Sequence, residues 1–172
     1  MAKLKRLSAK KVEGLMSVNP SIAAQTVEWA SSWSTPFSEA NARPAAHCFK
    51  GAVYTGLQAR TWNDADRAFA QRHLRILSGL YGVLKPLDLM QPYRLEMGLK
   101  WAIASKTLNL YAFWGDRIQR SIEADANGLI INLASNEYSK AAIAKTYAGR
   151  VITPAFKELV GTEYKAKMAY AK

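Results

Sequence analysis

The fold turns on one stretch near the middle of the chain, HLRILSGLYGVLKPLDLMQPYRLEMG (residues 73–98). Its first apolar run, 74–77, predicts either a short buried strand or the end of the preceding helix. Two close glycines in 78–82 predict a tight turn, and two prolines in 83–92 indicate a loop. The alternation of apolar and polar residues in 93–97 predicts a further strand.

Helices are expected on both sides of this stretch, because polar capping residues precede several runs with one apolar face. The predicted helices begin at Ser8, at Asn19 (with Pro20 in the first turn), near residue 39, at Asn63 and at Thr107. The last three are expected to run to about residues 58, 74 and 126, with a new start at Pro44 within the first of them.

Later in the chain, Leu129–Leu133 is short and strongly apolar, so it predicts a buried strand. Two more strands are predicted over 150–157 and 163–170, joined by a turn at Gly161. The predicted fold class is therefore α/β in the mixed α+β sense. It forms one domain over residues 1–172, with a helical N-terminal half.

Charge gives the first functional clue. The 172 residues include 24 Lys and Arg against 13 Asp and Glu, a net charge of +11. The excess is +4 in residues 1–50, +3 in 51–100 and +4 in 101–172, so the fold must assemble any basic patch. A polyanion partner is slightly favoured over none.

Several classes of protein are disfavoured. Apolar residues make up 49% of the chain, which is a globular composition, and no apolar run is long enough for a membrane span. We expect no signal peptide. The single cysteine, Cys48, has no partner for an internal disulfide, which suits a reducing cytoplasm.

Common cofactor and metal motifs are missing. The chain has no GxxxxGK[ST], GxGxxG or GxSxG pattern. One cysteine and two histidines, His47 and His73, are too few and too far apart in sequence to predict a zinc site. We therefore expect no metal and no cofactor.

The first polar segment of interest holds Lys50 and Tyr54. On a helix these two residues would share a face, which suits a phosphate contact beside an aromatic stacking surface. The alternative is a lysine that extends along a packed tyrosine, and spacing alone favours that alternative.

The second segment is the glycine-bearing turn at 78–82. Such a hairpin after a helix can point backbone N–H groups at a phosphate, as in helix–hairpin–helix modules. Pro86 disfavours a second helix, and the glycines are spaced GxxG. An ordinary strand–turn connection is equally compatible with the residues.

The third region of interest joins Arg94 and Glu96, which share one face of the predicted strand 93–97, to several polar side chains at the end of the predicted strand 129–133. Polar side chains beyond strand ends commonly form ligand sites in α/β folds. A buried Arg–Glu pair with a capped helix explains the same residues. The candidate pocket residues are Arg94, Glu96, Asn132, Ser135, Glu137 and Tyr138.

Taken together, these segments resemble the YaaA family of peroxide-stress-response proteins. The resemblance covers about residues 4–172, and it is carried by FKGAVYTGLQA (49–59), by the stretch 73–98, by LYAFWGD (110–116) and by INLASNEYSK (131–140). It implies a cytoplasmic protein with an unusual mixed α/β fold. Such proteins bind duplex and distorted DNA through a basic concave surface and a helix–hairpin–helix element. They limit peroxide damage by lowering available intracellular iron.

The resemblance also assigns candidate DNA-binding residues. The hairpin and the lysine beside it correspond to Ser78, Gly79, Leu80, Tyr81, Gly82 and Lys85, and candidates for the basic surface are Lys50, Tyr54, Arg94 and Lys100. Family members begin with a strand containing Ser-Pro-Ala-Lys and continue beyond a Tyr-Ala-Lys. Because this chain starts later and stops at Lys172, both termini are expected to be missing.

The sequence thus predicts a non-enzymatic DNA-binding stress protein with weak sequence preference, for duplex or junction-like DNA, and leaves its oligomeric state open. The alternative is an enzyme that acts on a small phosphorylated or nucleotide-like substrate in the six-residue pocket. A third possibility is an inert fragment.

Overall fold

A computed structural model describes residues 1–155 and 157–166, and it confirms the mixed α/β class. The helices are α1 (Ala9–Met16), α2 (Pro20–Ser32), α3 (Ala45–Cys48), α4 (Ala52–Leu57), α5 (Asp64–His73), α6 (Leu110–Trp114), α7 (Arg117–Asp125) and α8 (Asn136–Ala142). The strands are β1 (Arg43–Pro44), β2 (Ile76–Ser78), β3 (Gly82–Leu84), β4 (Leu89–Met90), β5 (Leu129–Ile131), β6 (Arg150–Ile152), β7 (Lys157–Val160) and β8 (Glu163–Ala166). Single 3₁₀ turns are formed by Leu4–Arg6 and Ala59–Thr61.

Within the described residues, the strands pair only two at a time. β1 pairs with β4, β2 with β3 and β7 with β8, all antiparallel, whereas β5 and β6 run parallel. None of the described helices is long and apolar enough to cross a membrane.

The predicted helix starts at Ser8, Asn19 and Asn63 are confirmed. The Ser8 hydroxyl and the Asn19 amide oxygen each accept a backbone N–H three residues ahead. Asn63 forms a capping box with Asp66, in which each side chain accepts the other residue's backbone N–H. Capping is a local interaction, which is why it is visible in sequence.

The helix predicted over 39–58 is wrong in its start near residue 39 and in its continuity, although a helix does begin directly after Pro44 as expected. Pro44 ends β1, and α3 follows it with only four residues. Gly51 then takes φ 121°, a conformation that a helix cannot contain, so α4 starts afresh after it.

The long helix predicted over 107–126 is also wrong, because it is divided. Asn109, not Thr107, caps α6 by accepting the Ala112 N–H. Gly115 then turns the chain with φ 55°, and α7 begins at Arg117.

Residues 93–97 do not form the predicted strand. The segment is irregular and pairs with no neighbouring strand. Leu95 and Met97 are nevertheless buried, so the alternation reflects packing of one side of the segment against the core.

The predicted buried strand at 129–133 is shorter than expected and exposed. β5 ends at Ile131, and the exposed fractions are 47% for Leu129 and 59% for Ile131. In the described part of the chain, β6 is its sole strand neighbour. The side chain of Ile130 packs against the cluster that contains Leu95 and Met97, whereas Leu129 and Ile131 lie on the uncovered face.

The two C-terminal strand predictions are confirmed in part. The predicted strand 150–157 ends early, because β6 stops at Ile152 and β7 begins at Lys157. Gly161 lies in the turn between β7 and β8, with φ 65°. Residues 167–170 of the second predicted strand lie outside the described residues.

The structure does not confirm a helix–hairpin–helix element. α5 is followed by a β-hairpin, in which Ser78 pairs with Gly82 across the turn. No helix lies in residues 85–109, all of which are described. Pro86 is buried there, and its carbonyl accepts the Ala46 N–H.

Two clusters of buried apolar side chains form the core of the chain from α3 to α8. One joins residues 95–97 to α6, α7 and α8. The other consists of Ala45, Ala46, Ala59, Ile76, Leu84 and Met90. The second cluster matters for the candidate site, because α3 and the hairpin strands share it.

Candidate nucleic-acid interface

An open groove of about 470 Å³ lies along α3, α4 and the 3₁₀ turn Ala59–Thr61. We call it the α3–α4 groove. It is lined by Ala46, His47, Phe49, Lys50, Gly51, Tyr54, Thr55, Gln58, Ala59, Arg60 and Thr61. Two of these residues are cations and none is Asp or Glu, so the groove presents a positive surface.

Backbone hydrogen bonds fix the position of the groove. The N–H groups of Ala45 and Ala46 donate to the carbonyls of Asp88 (2.9 Å) and Pro86 (3.0 Å), and these bonds join α3 to the loop between β3 and β4. On the other side, the His47 ring lies 3.4 Å from the Ala59 carbonyl oxygen. α3 is thus anchored both to residues 86–88 and to the 3₁₀ turn that lines the groove with it.

A pair of stacked aromatic rings forms one wall of the groove. The rings of Phe49 and Tyr54 lie 5.1 Å apart and are nearly parallel, at 18°. Phe49 also meets the edge of the Tyr93 ring at 6.3 Å. Burial raises the pKa of Tyr54, so its phenol stays neutral at physiological pH.

Lys50 and Tyr54 do come together, but not in the predicted way. Lys50 precedes α4 and Tyr54 lies inside it, so they do not share a helix face. Instead both side chains line the groove, with Lys50 exposed and Tyr54 half-buried.

The hairpin turn faces the protein interior. Ser78, Gly79 and Gly82 are buried. The Ser78 hydroxyl oxygen accepts the Tyr81 N–H at 2.9 Å and lies 2.6 Å from the Tyr93 hydroxyl. These polar groups are therefore engaged inside the protein.

Close packing explains both hairpin glycines. A Cβ at Gly79 would overlap the carbonyl oxygen of Leu95. Gly82 has φ 77°, and a Cβ there would lie 2.9 Å from the Trp114 ring. Each position needs glycine for reasons within the fold.

The two remaining hairpin residues also make internal contacts. Leu80 packs against the first apolar cluster. The Tyr81 hydroxyl accepts N–H bonds from the Trp33 indole (2.9 Å) and from Gln91 (3.1 Å). Burial raises the pKa of Tyr81 and, more strongly, that of Tyr93.

Two of the predicted DNA-contacting cations have carboxylate partners. Lys85 Nζ lies 3.7 Å from the Asp125 carboxylate, which also binds Arg75 at 2.6 Å. The hydrogen bond from Arg75 holds the pKa of Asp125 below its usual range. Arg94 pairs with Glu96 at 2.9 Å.

In the described part of the chain, the other two predicted cations, Lys50 and Lys100, have no carboxylate partner, and neither does Arg60 in the groove. All three are exposed. A phosphate can approach these cations without displacing an internal partner.

The alternative enzyme pocket is only partly assembled. Tyr138 and Glu137 lie near the segment that carries Arg94 and Glu96, and the Gly98 N–H donates to the Glu137 carboxylate at 2.6 Å. The cleft beside Arg94 and Glu96 holds about 10 Å³, roughly one water molecule.

The other two pocket residues lie apart from that cleft. The Asn132 amide donates to Thr153, and its oxygen accepts the Ala134 N–H. Ser135 takes the N-cap position of α8, although its side chain makes no capping bond. Burial raises the pKa of Tyr138 to about 12, so this phenol is a poor base at neutral pH. The structure does not support the enzyme alternative.

Of the residues that line the groove, the sequence singles out Lys50 and Tyr54 and not His47, Phe49, Gln58 or Arg60. Phe49 lies in the segment 49–59, which was already singled out, and its position next to Lys50 was the available signal. Arg60 had no such signal, because its place in the groove depends on the turn after α4.

No group of three or more His, Cys, Asp or Glu side chains that could hold a metal ion occurs in residues 1–155 and 157–166. Cys48 is half-buried beside the groove wall, and burial raises the pKa of its thiol.

The fold and groove define a class: a basic protein of mixed α/β fold with an open cationic groove. A sequence model of the family described as "Peroxide stress protein YaaA" matches residues 1–172, and the chain belongs to that family. It is also similar to a "UPF0246 protein" of Saccharophagus degradans, with 47% identity over 173 residues. That alignment covers 98% of this chain and 67% of the relative.

Proposed function

We propose that this protein binds DNA, mainly through phosphate contacts, as part of the peroxide stress response. The observation that carries the proposal is the α3–α4 groove, where Lys50 and Arg60 are exposed beside an aromatic wall and no acid lines the cavity. The net charge of +11 supports it, because a strong positive field attracts polyanions over long distances.

The proposed contacts fall into two groups. Lys50, Arg60 and Lys100 contact phosphates directly, and Tyr54 offers its ring to unpaired bases. Lys85 and Arg94 contribute less because carboxylates already neutralise them. The hairpin residues Ser78 to Gly82 support the groove from behind, since Ser78 and Phe49 both contact Tyr93.

The physiological part of the proposal is a cytoplasmic role that limits peroxide damage by lowering available intracellular iron. Family membership supports the peroxide role. The iron effect rests on the resemblance to the family. Its test is survival in peroxide, together with measured free iron, of a bacterium in which this gene replaces the native family member.

DNA binding is tested by fluorescence anisotropy with a short paired duplex and a four-way junction across a range of salt. Phosphate-dominated binding predicts a logarithm of affinity that falls linearly with the logarithm of salt concentration, for both DNAs and with little dependence on sequence. Absence of binding at low salt, or binding that salt does not weaken, would refute the proposal.

A further inference from the structure

The α3–α4 groove is large enough for a specific small occupant. Its volume of about 470 Å³ lies within the range of roughly 300–1,000 Å³ that is usual for small-molecule sites. It is open along one side, so a group that is still attached to a longer chain can enter.

The positive charges in and around the groove favour an anionic group as its occupant. Lys50 and Arg60 line it, and Arg43 and Arg60 lie close enough to Cys48 to act on its thiol electrostatically. The guanidinium of Arg60 suits a phosphate well, because its planar N–H groups can donate to two oxygens at once.

The aromatic wall formed by Phe49 and Tyr54 favours a planar ring next to that anionic group. Tyr54 stacks on Phe49, and Phe49 is held in turn by Tyr93, whose hydroxyl lies against Ser78. The wall is therefore fixed in place from behind. A planar base that stacks on it displaces water from an apolar face without a rearrangement of the protein.

We propose that the α3–α4 groove binds a single nucleotide, with its phosphate at Lys50 and Arg60 and its base against the Tyr54 ring. The exposed Gln58 amide at the rim offers a donor and an acceptor to the base edge. The same chemistry is available from a free mononucleotide or from an unpaired nucleotide in DNA, and the second source rests on the proposed function.

The test compares three probes: free dAMP, a fully paired duplex, and the same duplex with a central unpaired segment. The variants of the aromatic wall are Tyr54→Ala and Tyr54→Phe. Lys10→Gln removes one positive charge outside the groove, and it is the control for the loss of charge in Arg60→Gln, described below. Thermal unfolding establishes that each variant is folded.

We expect Tyr54→Ala to weaken binding of dAMP and of the unpaired segment by about tenfold, because stacking on the ring is lost. Binding of the paired duplex should change by less than about twofold. Tyr54→Phe should recover most of the affinity that Tyr54→Ala loses, since it restores an aromatic ring. Lys10→Gln should bind the nucleotide probes like the unaltered protein, since it leaves the groove intact.

Arg60→Gln gives a second test that leaves the half-buried wall intact. The unaltered protein should bind dAMP more tightly than deoxyadenosine, and this variant should lose that preference. If Tyr54→Ala does not fold, this comparison decides the proposal by itself.

The outcomes separate the two proposals. If DNA binds but Tyr54→Ala and Arg60→Gln change none of these comparisons, the nucleotide site is refuted and the proposed function stands. If dAMP binds in the expected way but no DNA does, the nucleotide site stands and the proposed function fails. If neither dAMP nor DNA binds, both are refuted.

Discussion

The hairpin turn at 78–82 and the α3–α4 groove both carry sequence features of phosphate binding, yet the structure uses them differently. The turn is packed against Leu95 and Trp114, so its glycines are occupied by protein. The groove is open, and its cations have no carboxylate partner in the described residues.

This difference shows that a glycine-rich turn is ambiguous evidence for a ligand. Glycine permits close approach, but the approaching group can be the protein's own backbone. A cation is equally ambiguous until its neighbours are known, as Lys85 shows beside Asp125. The following predictions test whether the turn is internal support and the groove is the exposed interface.

The largest expected effect is on Gly79. Gly79→Ala places a methyl group onto the Leu95 carbonyl oxygen, so we expect a loss of about 3 kcal/mol or more of unfolding free energy. The control is Gly14→Ala in α1, where a Cβ meets nothing and stability should rise by about 0.5–1 kcal/mol. Urea denaturation measures both, and a Gly79→Ala protein of normal stability would contradict internal packing of the turn.

A smaller effect is expected at Ser78. Ser78→Ala leaves the Tyr81 N–H and the Tyr93 hydroxyl without their buried partner, which should cost about 1–3 kcal/mol. The control is Ser31→Ala, an exposed serine in α2 whose loss should change stability by less than about 0.5 kcal/mol. Equal denaturation midpoints for the two variants would show that the Ser78 contacts do not stabilise the fold.

The Asp125 side chain should contribute less to the free energy of unfolding than Ser78 does, because Asp125 is exposed. Arg75 lowers the pKa of its carboxyl, so the stabilisation is present above the unfolded pKa and is lost as pH falls through the folded pKa. Asp125→Asn should therefore lower unfolding free energy by less than about 1 kcal/mol at pH 7. The difference from the unaltered protein should vanish in strong acid, and a difference that grows in acid would contradict this assignment.

For Cys48 we expect folding to change only the chemical reactivity of the thiol. Burial raises the pKa of the thiol, which keeps the reactive thiolate scarce at neutral pH. Iodoacetamide should modify Cys48 in the folded protein several-fold more slowly than in urea. Equal rates in the two conditions would show that the thiol beside the groove is not shielded.

Sequence predicted the parts of the fold that local chemistry determines. Ser8, Asn19 and Asn63 begin helices because their side chains satisfy nearby N–H groups. The helix expected over 39–58 failed because Gly51 takes a conformation that composition alone does not reveal. Leu129 and Ile131 of β5 are exposed although they are apolar, because burial depends on what packs against each face of a strand.

The candidate site was predictable to a similar extent. Lys50 and Tyr54 lie in one short segment, so the sequence could single them out together. The shared helix face predicted for them is wrong, because the break at Gly51 places Lys50 before α4. Arg60 was missed because its position depends on the turn that follows α4. The pairing of Lys85 with Asp125 joins the hairpin to α7, a contact between segments far apart in sequence.

The most direct test of the account is the salt dependence of DNA affinity in two variants. Lys50→Gln/Arg60→Gln removes the free cations of the groove, and Lys85→Gln removes the paired cation beside the hairpin. Because each lost phosphate contact reduces the salt slope by about 1, the groove variant should lose about 2 and the hairpin variant much less than 1. An unchanged slope for the groove variant, with a clear loss for Lys85→Gln, would contradict the account.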